Sequence, residues 1–524
     1  MRIDQSMRTA GKLSRFATIF LLLVGSAWAA LVNGQPFFME DTSAYVRGPD
    51  FAIVHFLGNR FASAWTQERT LNKGKVSSHT NPSETKHVPL NSPYDKAVLA
   101  GRSIYYGAFL YLGYVSSNFW LCVFAQAAIF LYLCHTFILK CLRLSFPIFA
   151  AAICFILVAT PASFFISFMM PDIFASFLIL SAIMIVAFWS ELERADKIYI
   201  SAILTFAVLT HASHLLLLFL VGSLCALVDL IVRRRPAKTA AAPIAVLFAI
   251  FFVGLLGEVI FSYATKLAVG VYPVRPPFLM ARLIDDGPGE RFLQHNCVVK
   301  PYTVCRYMDR LPTTAGYFLW SPDSSKGVYN EVDLTTRTAL SAEEIPFIVD
   351  VIRWEPLGVI NAATRNVIDQ LTTIGVGEFF RTPIELESFK NSLPEDFFNR
   401  IVHSRFSEHR DILPPLNTWF SSVYFLSMAG LLLAWGLWPL IPFPNKSLIF
   451  AQPQWLYVLT IGCAAVLFNA AICGVLSTPT MRYQTRISWI PLFLLLVVII
   501  KLWGALLPAR ADLSTRAAYE DLKN

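Results

Sequence analysis

Unbroken apolar stretches of about 17–25 residues recur along this chain, and that length is what an α-helix needs to cross bilayer hydrocarbon. Ten can be marked. They run from about Phe16 to Val32, Asn118 to Leu142, Phe146 to Pro161, Asp172 to Trp189, Ile198 to Leu209 and Leu215 to Val232. The remainder run from Ala241 to Tyr263, Trp419 to Leu440, Trp455 to Leu476 and Ile487 to Leu507. Within hydrocarbon every backbone polar group must be satisfied inside its own segment, so such stretches are helices. The expected fold is an all-α polytopic membrane protein of about ten transmembrane helices.

Composition agrees. Only 15% of the 524 residues are charged and 56% are hydrophobic, whereas soluble domains carry about 25% charged residues. Mean hydropathy is +0.55. The formal net charge of +8 is therefore not a nucleic-acid signature, because much of it borders apolar segments, where basic residues orient a protein in its membrane. With the N-terminus inside, Lys140, Arg143, Arg194, Lys197, Arg233, Arg234, Arg235, Lys238, Lys446 and Arg510 all fall in cytoplasmic connections. The short outer connections hold His211, His214, Arg482 and Arg486, with no Lys. This bias sets the expected orientation, in a plasma membrane such as the bacterial inner membrane. A cleaved signal peptide is an alternative for the first stretch, since Ala27-Trp28-Ala29 resembles a cleavage site.

The chain divides into an N-terminal segment with the first span (1–32), a first outer loop (33–116), spans two to seven (117–263), an outer domain (264–415), and the last three spans with a tail (416–524). In the first outer loop, Ser43 to Trp65 has the apolar spacing of an amphipathic helix lying on the bilayer. Residues 66–98 are polar and expected to be mobile. About 150 residues suffice for the outer segment to build its own core, with helical stretches such as Ala342 to Trp354. Seven Cys lie in or beside apolar helices and suit packing. Cys297 and Cys305 stand in the polar segment, where a local disulfide is expected if that side is oxidising.

Ionisable residues gather at the outer ends. Glu40 and Asp41 follow the first span. In a helix they would point about 100° apart; in a loop both can face a cleft. Carboxylates there can deprotonate a hydroxyl or bind a divalent cation, or simply serve as helix N-terminal acids, with Asp41 or Thr42 as cap. Asp172 follows Pro171 at the start of an apolar helix. That is good capping chemistry, yet its loop holds no basic partner. His211 and His214, three apart, share a face and can hold a metal, bind phosphate or donate to a sugar; the alternative is that they cap a short helix in interfacial water. Arg482 and Tyr483 precede the last span, where Arg offers a planar fork for phosphate or anchors the interface. Glu258 lies within the seventh span, and an ionisable group there is a candidate by default.

An acidic pair after the first span, an acid opening the fourth, polar residues at the fifth-to-sixth turn and Arg-Tyr before the last span resemble the GT-C superfamily. These are membrane glycosyltransferases that use polyprenyl-phosphate sugars, including protein O-mannosyltransferases and lipid A aminoarabinose transferases. The resemblance is architectural and covers nearly the whole chain. Glu40-Asp41 matches the first-loop acidic motif in reversed order, which leaves open which acid is the base. The resemblance implies a mostly helical extracytoplasmic domain and an inverting transfer from a polyprenyl-phosphate-linked sugar to a glycan, lipid or protein acceptor. Asp41 or Glu40 would act as base, with Asp172 as the second-loop acid. Arg482 would hold the departing phosphate, with Tyr483, His211, His214 or Arg102 nearby. A divalent ion, if used, would take Glu40, Asp41 and Asp172. Two other classes fit the same chain: a transporter or flippase of a lipid-linked or anionic substrate, and a non-catalytic assembly protein.

Overall fold

In the computed structural model the described residues are 2–58, 60, 63–65, 96–232, 237–321, 323–382, 384–386, 393–437 and 453–506. Most of the polar stretch at 66–98 and the basic residues Arg233, Arg234, Arg235, Lys446 and Arg510 lie outside them. Among the described residues the fold is all-helical, and its only β pairing consists of two isolated bridges.

The helices that build the bundle's first half are α1 (Arg2–Ser26), α2 (Trp28–Asn33), α3 (Glu40–Leu57), α4 (Ile104–Ser117), α5 (Trp120–His135), α6 (Phe146–Ala159), α7 (Ala162–Ile166), α8 (Ile173–Ala187), α9 (Arg194–Thr210), α10 (Ala212–Val232) and α11 (Ala237–Val269). The polar segment contributes α12 (Phe278–Asp285), α13 (Pro288–Asn296), α14 (Ala315–Trp320), α15 (Leu334–Ala342), α16 (Glu344–Trp354), α17 (Pro356–Thr372), α18 (Glu395–Val402) and α19 (Arg405–Glu408). The chain ends with α20 (Leu413–Leu437), α21 (Pro453–Leu476), α22 (Met481–Thr485) and α23 (Trp489–Leu506).

Six helical stretches are long and apolar enough to cross a membrane: Trp120–Cys141, Ala212–Ile231, Ala241–Val269, Arg410–Leu437, Gln454–Leu476 and Met481–Trp503. Leu13–Ser26, Phe146–Ala159 and Ile173–Ala187 are apolar but shorter. Burial separates their roles. Every residue of α8 is buried, as a helix without a polar face must be when it forms the centre of a bundle. Much of α11 is exposed, with Phe252, Leu256 and Ile260 standing free; an apolar helix that shows such residues faces lipid, not water.

The end of the bundle that carries the polar segment is here called the outer end. The Ala27-Trp28-Ala29 stretch is packed inside the bundle: Trp28 donates to the Leu157 carbonyl at 2.9 Å, and Ser163 accepts from Ala29 and donates to the Ser26 carbonyl. At the other end Lys140 binds Asp196 at 2.8 Å and Glu193 at 3.5 Å. The polar segment has its own core around Met280, Phe292, Phe318, Tyr329 and Phe347. Cys297 and Cys305 within it are disulfide-bonded. It is fastened to the bundle through α17, which lies against α21: a Cβ on Gly474 would meet the Asn366 carbonyl oxygen at 2.5 Å, so only glycine fits there.

Candidate active site

Two adjacent outer segments are joined first. Phe37 bridges to Phe168, its N–H donating to the Ser167 carbonyl at 3.0 Å and its carbonyl accepting from Met169 at 2.9 Å. Thr42 then donates to the Met169 carbonyl at 3.1 Å and accepts from the Met39 N–H at 2.9 Å. These bonds fix the start of α3 against the loop that leads to Asp172. The sequence reading runs the amphipathic helix from Ser43 to Trp65; in the structure it spans Glu40–Leu57 and stops at Gly58. Glu40 and Asp41 are thus first-turn acids, favoured by the helix dipole, and Met39, not Asp41, occupies the cap position.

Their side chains diverge, as helix geometry requires. Asp41 accepts from Arg102 at 2.7 Å, while Glu40 is exposed and within electrostatic reach of Arg381. Arg102 is positioned by its neighbour Ser103, which caps α4 and donates to the Leu209 carbonyl at 2.6 Å. Close packing of α3 on α4 adds to this, since a Cβ on Gly107 would meet the Tyr45 carbonyl at 2.4 Å. Burial opposes ionisation of Asp41, but the charges of Arg102 and Arg482 and the Arg102 hydrogen bond outweigh it and hold the carboxyl below its ordinary value.

Asp172 is almost wholly buried and stands at the cap position of α8 without making a capping hydrogen bond. Its Oδ1 lies 3.6 Å from Arg486 and accepts no hydrogen bond. The missing partner of the second outer loop is therefore supplied from the far end of the chain. Arg486 is itself held by the Asn469 side-chain carbonyl at 2.8 Å and lies over the Tyr483 ring, 5.5 Å from its centroid.

Arg482 donates to the Tyr483 hydroxyl at 3.2 Å, touches the Met39 sulfur, and sits 3.8 Å from Glu378. Asp41 and Asp172 are also within its electrostatic reach. The segment that carries Glu378 and Arg381 comes from the polar domain and gives no motif in the sequence. It is pinned by Gly375 donating to Thr485 at 3.0 Å, Val376 donating to Asn417 at 2.8 Å, and Phe379 packed between Phe37, Phe164 and Phe168. Burial raises the Glu378 carboxyl above its ordinary value, although Arg482 and Arg381 oppose this, and its Oε2 accepts no hydrogen bond from a neighbouring side chain.

Of His211 and His214, one caps and the other is buried. His211 caps: its Nδ1 accepts from the Ser213 N–H at 3.2 Å. Burial, then His214 and the arginines Arg486, Arg102 and Arg482, drive its pKa far down; with Nδ1 accepting, Nε2 is left to donate. His214 is fully buried instead of lying in interfacial water; Nδ1 approaches the Ala207 carbonyl at 2.9 Å and Nε2 has no partner.

A small cleft beside the cluster is lined by Arg102, Ser103, Tyr105, His211, Glu258 and Phe261, among others. Asp41, Asp172 and Arg482 do not line it; each faces its own charge partner, Arg102, Arg486 and Glu378 in turn. Among the described residues no group of three or more His, Cys, Asp or Glu is arranged to hold a metal ion. Asp41 and Asp172 each face a guanidinium group.

The chain matches no family model, no curated protein and no solved structure.

Proposed function

We propose that this protein is an integral membrane glycosyltransferase of the GT-C kind, moving a sugar from a polyprenyl phosphate to an acceptor hydroxyl with inversion. The observation that supports it most is the meeting of Asp41, Arg102, Asp172, Glu378, Arg482 and Arg486, drawn from five separate stretches, at one end of the bundle. In the reaction the acceptor oxygen attacks the anomeric carbon, the bond from that carbon to the phosphate oxygen breaks, and the hydroxyl proton passes to a carboxylate. Asp41 is assigned that proton. Its depressed basicity weakens the proton-transfer driving force, and the same Arg102 contact keeps it ionised and aimed. Arg482 offsets the charge that grows on the leaving phosphate. Its contact with Glu378, the longest of the three central ion pairs at 3.8 Å, is the one a phosphate would replace. No step is routed through a metal ion.

The finer topology belongs to the same reading. The six long apolar helices, the three shorter ones and α9 make ten crossings, with the site extracytoplasmic. The Cys297–Cys305 disulfide favours an oxidising outer side.

The test is incubation of the purified, nanodisc-embedded protein with radiolabelled polyprenyl-phosphate sugars and candidate acceptors. Transfer by the wild type, lost in a folded Asp41→Asn variant, is the expected result. Full transfer by that variant would remove Asp41 as base; no transfer from any donor by the wild type would remove the enzyme reading. The cleft beside Glu258 favours a second reading, movement of a lipid-linked substrate. It is distinguished by acceptor-independent passage of a labelled lipid across proteoliposomes.

A further inference from the structure

Two helices of the polar domain carry exposed apolar side chains. On α17 the face toward α21 is Ala362, Asn366 and Gln370, all buried. The opposite face shows Leu357 at 79%, Ile360 at 61% and Ile368 at 55% exposure. At about 100° per residue these three fall on one side, away from α21. On α16, Ile345, Val349 and Ile352 make a second exposed stripe with spacings of four and three.

The depth of these helices is legible from what they touch. α17 meets α21 at Gly474, which lies inside the apolar Gln454–Leu476 stretch. Arg275 is within electrostatic reach of both Glu258 in α11 and Glu344 in the first turn of α16. The α17 stripe thus stands on a helix packed against the outer end of a span. Arg353 and Arg365, both exposed, stand on the same helices, where guanidinium groups can reach lipid phosphates. An apolar stripe with flanking basic residues at the depth of a span's end is the pattern of a helix lying in the headgroup boundary.

We propose that the polar domain is seated in the outer leaflet through α16 and α17, with bilayer lipid as the partner of the Leu357–Ile360–Ile368 face. The seat would hold the domain, and the Glu378 segment that follows α17, at a set height above the bundle.

Spin labels on Leu357→Cys, Ile360→Cys and Ile368→Cys, in full-length protein with Cys154→Ala and Cys463→Ala, test this in nanodiscs. Ser324→Cys on an exposed turn is the aqueous control and Phe252→Cys on α11 the lipid control. The expected result is an oxygen-to-nickel-chelate accessibility ratio several-fold above that at Ser324 and near that at Phe252. A ratio like the aqueous control would overturn the proposal, and low access to both reagents would replace lipid with a protein partner. Thr364→Cys, on the same face, provides an independent position should any of the three fail to insert.

Discussion

Asp172 and Arg486 face each other 3.6 Å apart, both nearly inaccessible, although one opens α8 and the other precedes α23. Removing one member of a buried pair strands the other charge, which typically costs about 3–5 kcal/mol. Asp172→Asn and Arg486→Met should each lower thermal stability in detergent by a loss of that order. The double variant should lose much less than the sum. Additive losses in this cycle would mean that the two side chains do not interact.

Arg102 is what keeps Asp41 a carboxylate. Because the folded-state pKa of Asp41 is depressed, its contribution to stability is complete above the ordinary value of 3.8 and fades as pH falls through the lower folded value. In Arg102→Met the burial effect is opposed by Arg482 without Arg102, so Asp41 should take up its proton at higher pH. Carbon-detected NMR of labelled aspartate would follow this directly. An unchanged Asp41 titration would show that Arg102 does not set its charge.

His211 is held neutral by burial and by the neighbouring positive charges. Binding of a polyprenyl phosphate should therefore show no step between about pH 5 and 8 that disappears in His211→Gln. Calorimetric titration across that range is the measurement. A step present in the wild type and absent in the variant would give His211 a cationic role.

Gly474 permits α17 to lie against α21. In Gly474→Val the new carbons would run into the Asn366 backbone, which cannot rotate away. Overpacking of this kind costs about 1–3 kcal/mol, and the strain should fall on the seam that carries the Gln370–Thr480 hydrogen bonds. Hydrogen exchange should rise in α17 and α22 while α8 keeps its protection. Uniform exchange over the whole chain would instead indicate global unfolding.

The apolar stretches, the separate polar segment and the pair of cysteines in it were legible from the chain alone, because the cost of exposing backbone in lipid allows one secondary structure at those lengths. So were most of the ionisable residues of the cluster, since each stands where an apolar run ends. Their partners were not. That Asp41 meets Arg102, that Asp172 meets Arg486 and that Glu378 reaches Arg482 depends on how distant helix ends pack, and no local spacing encodes it. Glu378 and Arg381 show this most plainly. They sit in a stretch with no motif, and join the cluster because Phe379 is buried among Phe37, Phe164 and Phe168 and the backbone before it is bonded to Thr485 and Asn417. Hydrophobic periodicity acts within a helix and so can be read from its own residues, whereas charge pairing acts through space and is decided when the bundle closes.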